Sequence, residues 1–111
     1  MISQRDIVLL SFPFSDLKTR KVRPAIIISN DNYNKKFDDV IAIPMTSNLD
    51  IRDYAILISN KDLESGNLIK DSKAKVDRIF SVSKNLIQLK IGKIKMGVHK
   101  RIIEVLLGLV G

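Results

Sequence analysis

The chain has no cysteine, a single histidine, and no glycine-rich loop among its five glycines. Without thiols, disulfides, zinc–thiolate sites, iron–sulfur clusters and cysteine nucleophiles are excluded. That composition fits a reducing compartment and sets the expectation of a cytoplasmic protein. His99 stands alone, so one subunit cannot pair an imidazole base with an imidazole acid, nor build a two-histidine metal site. No P-loop, GxSxG elbow or Cys/His set is present. Apolar runs are short: none approaches the roughly 20 residues needed to span a bilayer, and acidic Asp6 precedes the first of them, which disfavours membrane insertion and secretion. The carboxylates Asp38, Asp39, Asp50 and Asp53 lie in Asn- and Asp-rich surroundings that read first as turn capping rather than as a hard-cation site. The expectation is a protein without metal or cofactor.

What is present is a length of 111 residues, 45% of them hydrophobic, enough for one core and a single domain over residues 1–111. Nineteen Lys and Arg against twelve Asp and Glu give a net charge of +7. The excess is lopsided, +1 over residues 1–55 and +6 over 56–111. A polyanionic partner is one explanation, and lysine-based solubility is the other.

Short β-branched runs recur between polar turns: Ile7–Leu10, Ala25–Ile28, Val40–Ile43 and Tyr54–Ile58. Their length and composition favour strands, and the lack of strict alternation predicts a sheet covered on both faces, as in a small barrel. Residues 73–82 alternate more openly, with Ala74, Val76 and Phe80 on one side and Lys73, Lys75 and Asp77 on the other. The pattern predicts turns at Asn30–Asn34 and Leu63–Asn67, a short helix at Ser83–Gln88 and a last strand at Leu89–Ile94. The prolines mark boundaries in this reading: Pro13 just past the first strand, Pro24 at a strand start, Pro44 at a strand end. From Val98 to Leu109 the apolar spacing is helical, with Lys100, Arg101 and Glu104 facing water. That stripe is predicted to close one end of the barrel or to meet a second subunit.

The sharpest local feature is Lys18-Thr19-Arg20-Lys21-Val22-Arg23, four basic residues in six, read as a loop between the first two strands. Guanidinium and ammonium groups on a rigid β scaffold can clamp a phosphate backbone, and a solvated hairpin tip is the plainer alternative. Arg23 abuts Pro24 and so belongs at the mouth of the sheet, where burial would fix its direction. Thr46 and Ser47 follow the third strand and offer hydroxyls from a neighbouring strand end; a threonine there is also a common turn former. His99, on the last helix, is expected at the surface or at an interface.

In order and spacing, Asp6-Ile7-Val8, Phe12-Pro13-Phe14-Ser15-Asp16, Val22-Arg23-Pro24-Ala25-Ile26-Ile27-Ile28-Ser29, Pro44-Met45-Thr46-Ser47, Lys75-Val76-Asp77-Arg78-Ile79 and Ile91-Gly92-Lys93-Ile94 resemble the MazF/PemK family of ribonuclease toxins. The resemblance implies a mainly β fold, a small curled SH3-like barrel with a C-terminal α-helix, assembled as a homodimer. It also implies metal-independent cleavage of single-stranded mRNA by ribose 2′-hydroxyl attack, leaving a 2′,3′-cyclic phosphate and a 5′-hydroxyl. Carried over by motif, Arg23, Thr46 and Asp77 become the catalytic candidates, and Ser15, Asp16, Lys18, Arg20, Lys21, Ser47 and Lys75 the substrate-binding ones. Arg23, with a pKa above about 12, suits charge stabilisation rather than proton abstraction, which leaves the general base open. The implied partners are RNA and a cognate antitoxin whose acidic segment fills the basic groove, with operator DNA met only through that complex. Two departures stand out: Arg5 occupies a position where such toxins commonly carry Gly, and Arg20, Lys21 and Val22 replace an acidic residue before the Arg-Pro pair. A non-catalytic nucleic-acid-binding barrel and a gyrase-directed poison are the competing readings.

Overall fold

A computed structural model describes residues 1–13, 20–50 and 53–111. Among the described residues, eight strands form one antiparallel sheet: β1 (Asp6–Pro13), β2 (Arg20–Ile27), β3 (Asp39–Thr46), β4 (Ala55–Ile58), β5 (Leu63–Gly66), β6 (Ser72–Lys75), β7 (Phe80–Ser83) and β8 (Ile87–Ile94). Their order is β4-β6-β3-β2-β1-β8-β5, with β7 pairing alongside β3. Helix α1 (Asp31–Lys36) follows β2, and α2 (Met96–Val110) ends the chain. The sheet curls because β3 changes partners along its length: its first half pairs with β7, and Met45 and Thr46 pair with β6. Register shifts between β1 and β8 add twist.

Alternate residues of the central strands feed two cores. Ile7, Ile26, Ile43 and Met45 join Ile56, Ile58, Ile94, Val98 and Ile102 in the larger one, and Val8, Leu10, Ala25, Ile27, Val40 and Ala42 form the smaller one on the opposite face. Both faces are therefore covered, which is why the runs read as continuously apolar. Helix α2 lays Val98 and Ile102 into the larger core while Lys100, Arg101 and Glu104 face water. Burying Ile102 completely stabilises the fold by about 1.5–3 kcal/mol relative to leaving it in water. The helix thus closes one end of the half-barrel, with Met96 at its start and Leu107, Leu109 and Val110 in its last turns exposed.

Several local expectations are corrected. Residues 73–82 are not one strand: β6 ends at Lys75, a 3-10 turn runs Val76–Arg78, and β7 begins at Phe80. The predicted helix at Ser83–Gln88 shrinks to a 3-10 turn at Lys84–Leu86, and Ile87 already belongs to β8. The Asn-rich connector contains α1, because Asn30 caps a helix by accepting the Tyr33 N–H at 2.8 Å rather than turning the chain. The Leu63–Asn67 turn contains β5, whose Gly66 crosses β8 at Gly92. A Cβ at Gly66 would lie 2.2 Å from the Ile91 carbonyl oxygen, and its φ of +82° favours glycine as well. Pro13 closes β1 rather than following it, and Pro24 and Pro44 lie inside β2 and β3. Their missing N–H groups flank the point where the β2–β3 ladder ends, at the Ala25–Pro44 pair.

The start of β1 keeps a left-handed turn without glycine. Arg5 has φ of +80°. Its backbone bonds Ile27 and Ile94, and its Nη1 donates to the Ile94 carbonyl at 3.0 Å and to Glu64 Oε1 at 3.1 Å. The next residue, Asp6, is fully buried; it accepts the Ser3 N–H at 2.8 Å and draws Lys90 and Lys93 Nζ to 3.1 and 3.6 Å.

Candidate functional site

The register sets Arg23 of β2, Thr46 of β3 and Lys73 of β6 along one cross-strand row. Leu10 of β1 pairs with Arg23, and Thr46 pairs with Lys73. Between these pairs, Ala25 faces Pro44; two residues further out along each strand stand Arg23 and Thr46, on the same sheet face by the pleat. The ladder ends at Ala25–Pro44 and β3 turns to β6, so Arg23 and Thr46 flank the place where the two strands part. Arg23 is exposed there, so burial does not fix its direction: β2 extends past Pro24 to Arg20, and the guanidinium projects from a strand held on one side by β1.

Thr46 is half-buried, and its Oγ1 accepts the Asn48 N–H at 3.2 Å. This turn-forming bond leaves the hydroxyl proton available to a second acceptor. Ser47 follows it, exposed. Lys75 is half-buried, pairs with Ala55 of β4, and shares the sheet face of Lys73 and Thr46 by alternation. Asp77 lies off the row. It is half-buried in the 3-10 turn Val76–Arg78, which packs against α2 and β3. Lys73 is level with Thr46, whereas Phe80, three residues after Asp77, is level with Ala42.

The basic segment is not wholly a loop. Arg20 and Lys21 are strand residues opposite Pro13 and Phe12. Ser15, Asp16 and Lys18 lie outside the described residues. Sequence reasoning saw Lys73 only as the polar side of an alternating segment; its pairing with Thr46 required the sheet register.

His99 is buried, against expectation. It sits beside Val98 and one turn before Ile102 on the inner edge of α2, and its Nδ1 has no hydrogen-bond partner among the described residues. Burial, and secondarily the Arg5 charge, hold its pKa below the ordinary 6.5. Among the described residues no cluster of three or more His, Asp or Glu could hold a metal ion, and no helix is long and apolar enough to cross a membrane.

On the opposite face of β8-β1-β2, Leu89 pairs with Leu9 and Leu9 with Pro24. Together with Leu68, Ile69 and Ile91, Leu9 and Pro24 line an apolar trough of about 380 Å³. Ile69, Leu89 and Val22 stand exposed around it.

The same curled sheet and closing helix occur in solved structures. A MazE–MazF crystal structure (form II) from Deinococcus radiodurans superposes with a TM-score of 0.82 at 18% identity, covering 99% of this chain and 96% of that one. An endoribonuclease in complex with its cognate antitoxin from a mycobacterial species gives a TM-score of 0.79 at 16% identity over 100% and 96% of the two chains. The Mycobacterium tuberculosis toxin MazF-mt6 gives 0.75 at 15% identity over 94% of each. No curated protein matches the chain. These likenesses show the fold. The family is fixed by sequence, through a pattern described as "PemK-like, MazF-like toxin of type II toxin-antitoxin system" that matches residues 3–109. Nearly the whole of this chain, with the Arg23, Thr46 and Asp77 motifs inside the matched span, belongs to that family of type II toxins.

Proposed function

We propose that the protein is a toxin endoribonuclease that cleaves single-stranded mRNA without a metal, at the gap between Arg23 and Thr46. The observation that carries this reading is the cross-strand placement of those two residues where β2 and β3 part. A phosphodiester in that gap meets a guanidinium from one strand and a hydroxyl from the next. Attack by the ribose 2′-oxygen forms the new P–O bond as the P–O5′ bond breaks, giving a cyclic phosphate and, as the leaving oxygen takes a proton from solvent, a 5′-hydroxyl. Arg23 carries donors and charge for the crowded phosphorane. Thr46 orients a non-bridging oxygen. The 2′ proton needs a different group, because a guanidinium stays protonated; Asp77, half-buried off the row with Lys75 two residues before it on the chain, is assigned that role. Ser15, Asp16, Lys18, Arg20, Lys21 and Ser47 are assigned to the flanking nucleotides.

The partner classes follow from the same reading. An antitoxin with an acidic segment suits the basic half of the chain, and operator DNA is met through that complex. A second copy is assigned to the apolar trough around Leu9 and Leu89, where burial of exposed Leu89, Ile69 and Val22 favours association. The site of action is the cytoplasm, where mRNA resides. The test is incubation of single-stranded RNA with the folded protein in excess chelator. Cyclic-phosphate ends that disappear with Arg23→Ala are expected. Intact RNA at micromolar protein overturns the reading, and inhibition of supercoiling would redirect it to gyrase.

A further inference from the structure

We propose that Lys73 is a positioning residue that fixes the Thr46 hydroxyl through the loop following β3. This rests on the reading of Thr46 as part of the cleavage site. Three hydrogen bonds connect the two residues. Lys73 Nζ donates to the Asp50 carbonyl at 2.7 Å, the Asp50 N–H donates to Asn48 Oδ1 at 3.1 Å, and the Asn48 N–H donates to Thr46 Oγ1 at 3.2 Å. The chain of bonds closes on itself, because Lys73 is also the direct cross-strand neighbour of Thr46.

Each link has a physical consequence. Residues 47–50 are exposed and belong to no helix or strand, so little packing holds them. The ammonium of Lys73, a half-buried residue of β6, makes an exposed hydrogen bond that ties that loop to the rigid sheet. Once the loop is held, the Asn48 N–H occupies one lone pair of the Thr46 hydroxyl and selects one rotamer of a stiff β-branched side chain. The hydroxyl proton then has a restricted arc in which to meet a phosphate oxygen beside Arg23. Releasing the tie lets the loop open and the hydroxyl wander, and a misplacement of about 1 Å can lower a rate about 100-fold. Since Nζ is directed at a loop carbonyl, its removal should act on the chemical step rather than on RNA affinity.

The experiment compares wild type, Lys73→Met, Lys73→Arg, Thr46→Ala and the Lys73→Met/Thr46→Ala double variant on a single-stranded RNA oligonucleotide, together with NMR order parameters of residues 47–50. Lys73→Met keeps the aliphatic stem and loses the donors. It is expected to lower kcat about 10–100-fold with KM within about twofold, to be largely rescued by Lys73→Arg, and to cause no further loss in the Thr46→Ala background. Order parameters of residues 47–50 are expected to fall from about 0.85 towards 0.6 while the rest of the spectrum stays dispersed. A raised KM with unchanged kcat and a shallower salt dependence would identify Lys73 as a phosphate contact and overturn the proposal. Additive losses in the double variant, or unaltered order parameters in Lys73→Met, overturn it equally. If wild type leaves RNA intact, the nuclease reading fails by itself, and the loop dynamics still decide whether Lys73 holds the loop.

Discussion

Arg5 tests whether the left-handed turn before β1 is held by a side chain against its own backbone preference. At φ of +80° a residue with a Cβ is strained by roughly 1–2 kcal/mol. Any truncation removes the ion pair to Glu64 at 3.1 Å, which is weak, about 0–1 kcal/mol, because Glu64 is 54% exposed. It also removes the hydrogen bond from Nη1 to the Ile94 carbonyl at 3.0 Å, a charged donor contributing about 1.5 kcal/mol. Arg5→Ala loses both contacts and keeps the strain, so a destabilisation of about 2 kcal/mol is expected. Arg5→Gly loses the same contacts but relaxes the backbone, offset by about 0.5–1 kcal/mol of extra chain entropy in the unfolded state, for a net loss of about 1 kcal/mol. Glycine should therefore be the more stable variant by about 1 kcal/mol, or roughly 5 °C in Tm, the reverse of the usual order at strand positions. Urea and thermal unfolding of the three proteins measure this directly. An alanine variant as stable as the glycine variant would refute the strain argument.

Arg23→Ala should lower RNA cleavage by about 10²–10³-fold with an unchanged Tm, measured by single-turnover cleavage and calorimetry. Leu89→Asp places a charge on the exposed apolar rim and should shift sedimentation at micromolar concentration towards the monomer; a wild type already monomeric there removes the trough as a self-association surface. His99 titrates lower in the folded chain than in the unfolded one, so the unfolded state binds the extra proton first as pH falls. Its contribution is present above pH 6.5 and declines between 6.5 and the lower folded-state pKa. The stability difference between wild type and His99→Gln should accordingly narrow on going from pH 7.5 to 5.5, read from urea midpoints.

The β content and the final helix were legible because their signals are redundant: β-branched runs with turn residues between them, and a helical apolar stripe ending at Leu109. The elements missed were those whose turn chemistry serves a second purpose. Asn30 caps α1, and the Ser65-Gly66-Asn67 sequence that spells a turn instead lets β5 cross β8 at Gly92. The 73–82 segment alternates in sequence yet breaks at the 3-10 turn, because Val76 enters the larger core there beside α2. His99 looked superficial because polarity was the only local clue. Its helical position between Val98 and Ile102 places it at the edge of the buried stripe.

For the site, sequence supplied the residue types and the structure supplied their register. That distinction matters because neighbouring positions on β2 serve opposite faces: Arg23 shares the face of Ala25 and the smaller core, whereas Pro24 shares that of Ile26 and floors the trough. A one-residue slip of β2 against β1 would exchange the two, turning the guanidinium into the trough and the proline into the row. The register is pinned against such a slip by apolar residues on both sides, Ala25 and Ile27 in one core and Ile26 in the other, each fully buried. A substitution that weakens either core, such as Ile26→Ala at about 2–5 kcal/mol, should therefore reduce cleavage only through the unfolded fraction. Restoring the folded population at lower temperature should restore the rate. A rate that stays low in a fully folded Ile26→Ala protein would mean that the larger core also sets the Arg23–Thr46 gap, and that the two faces of β2 are mechanically coupled.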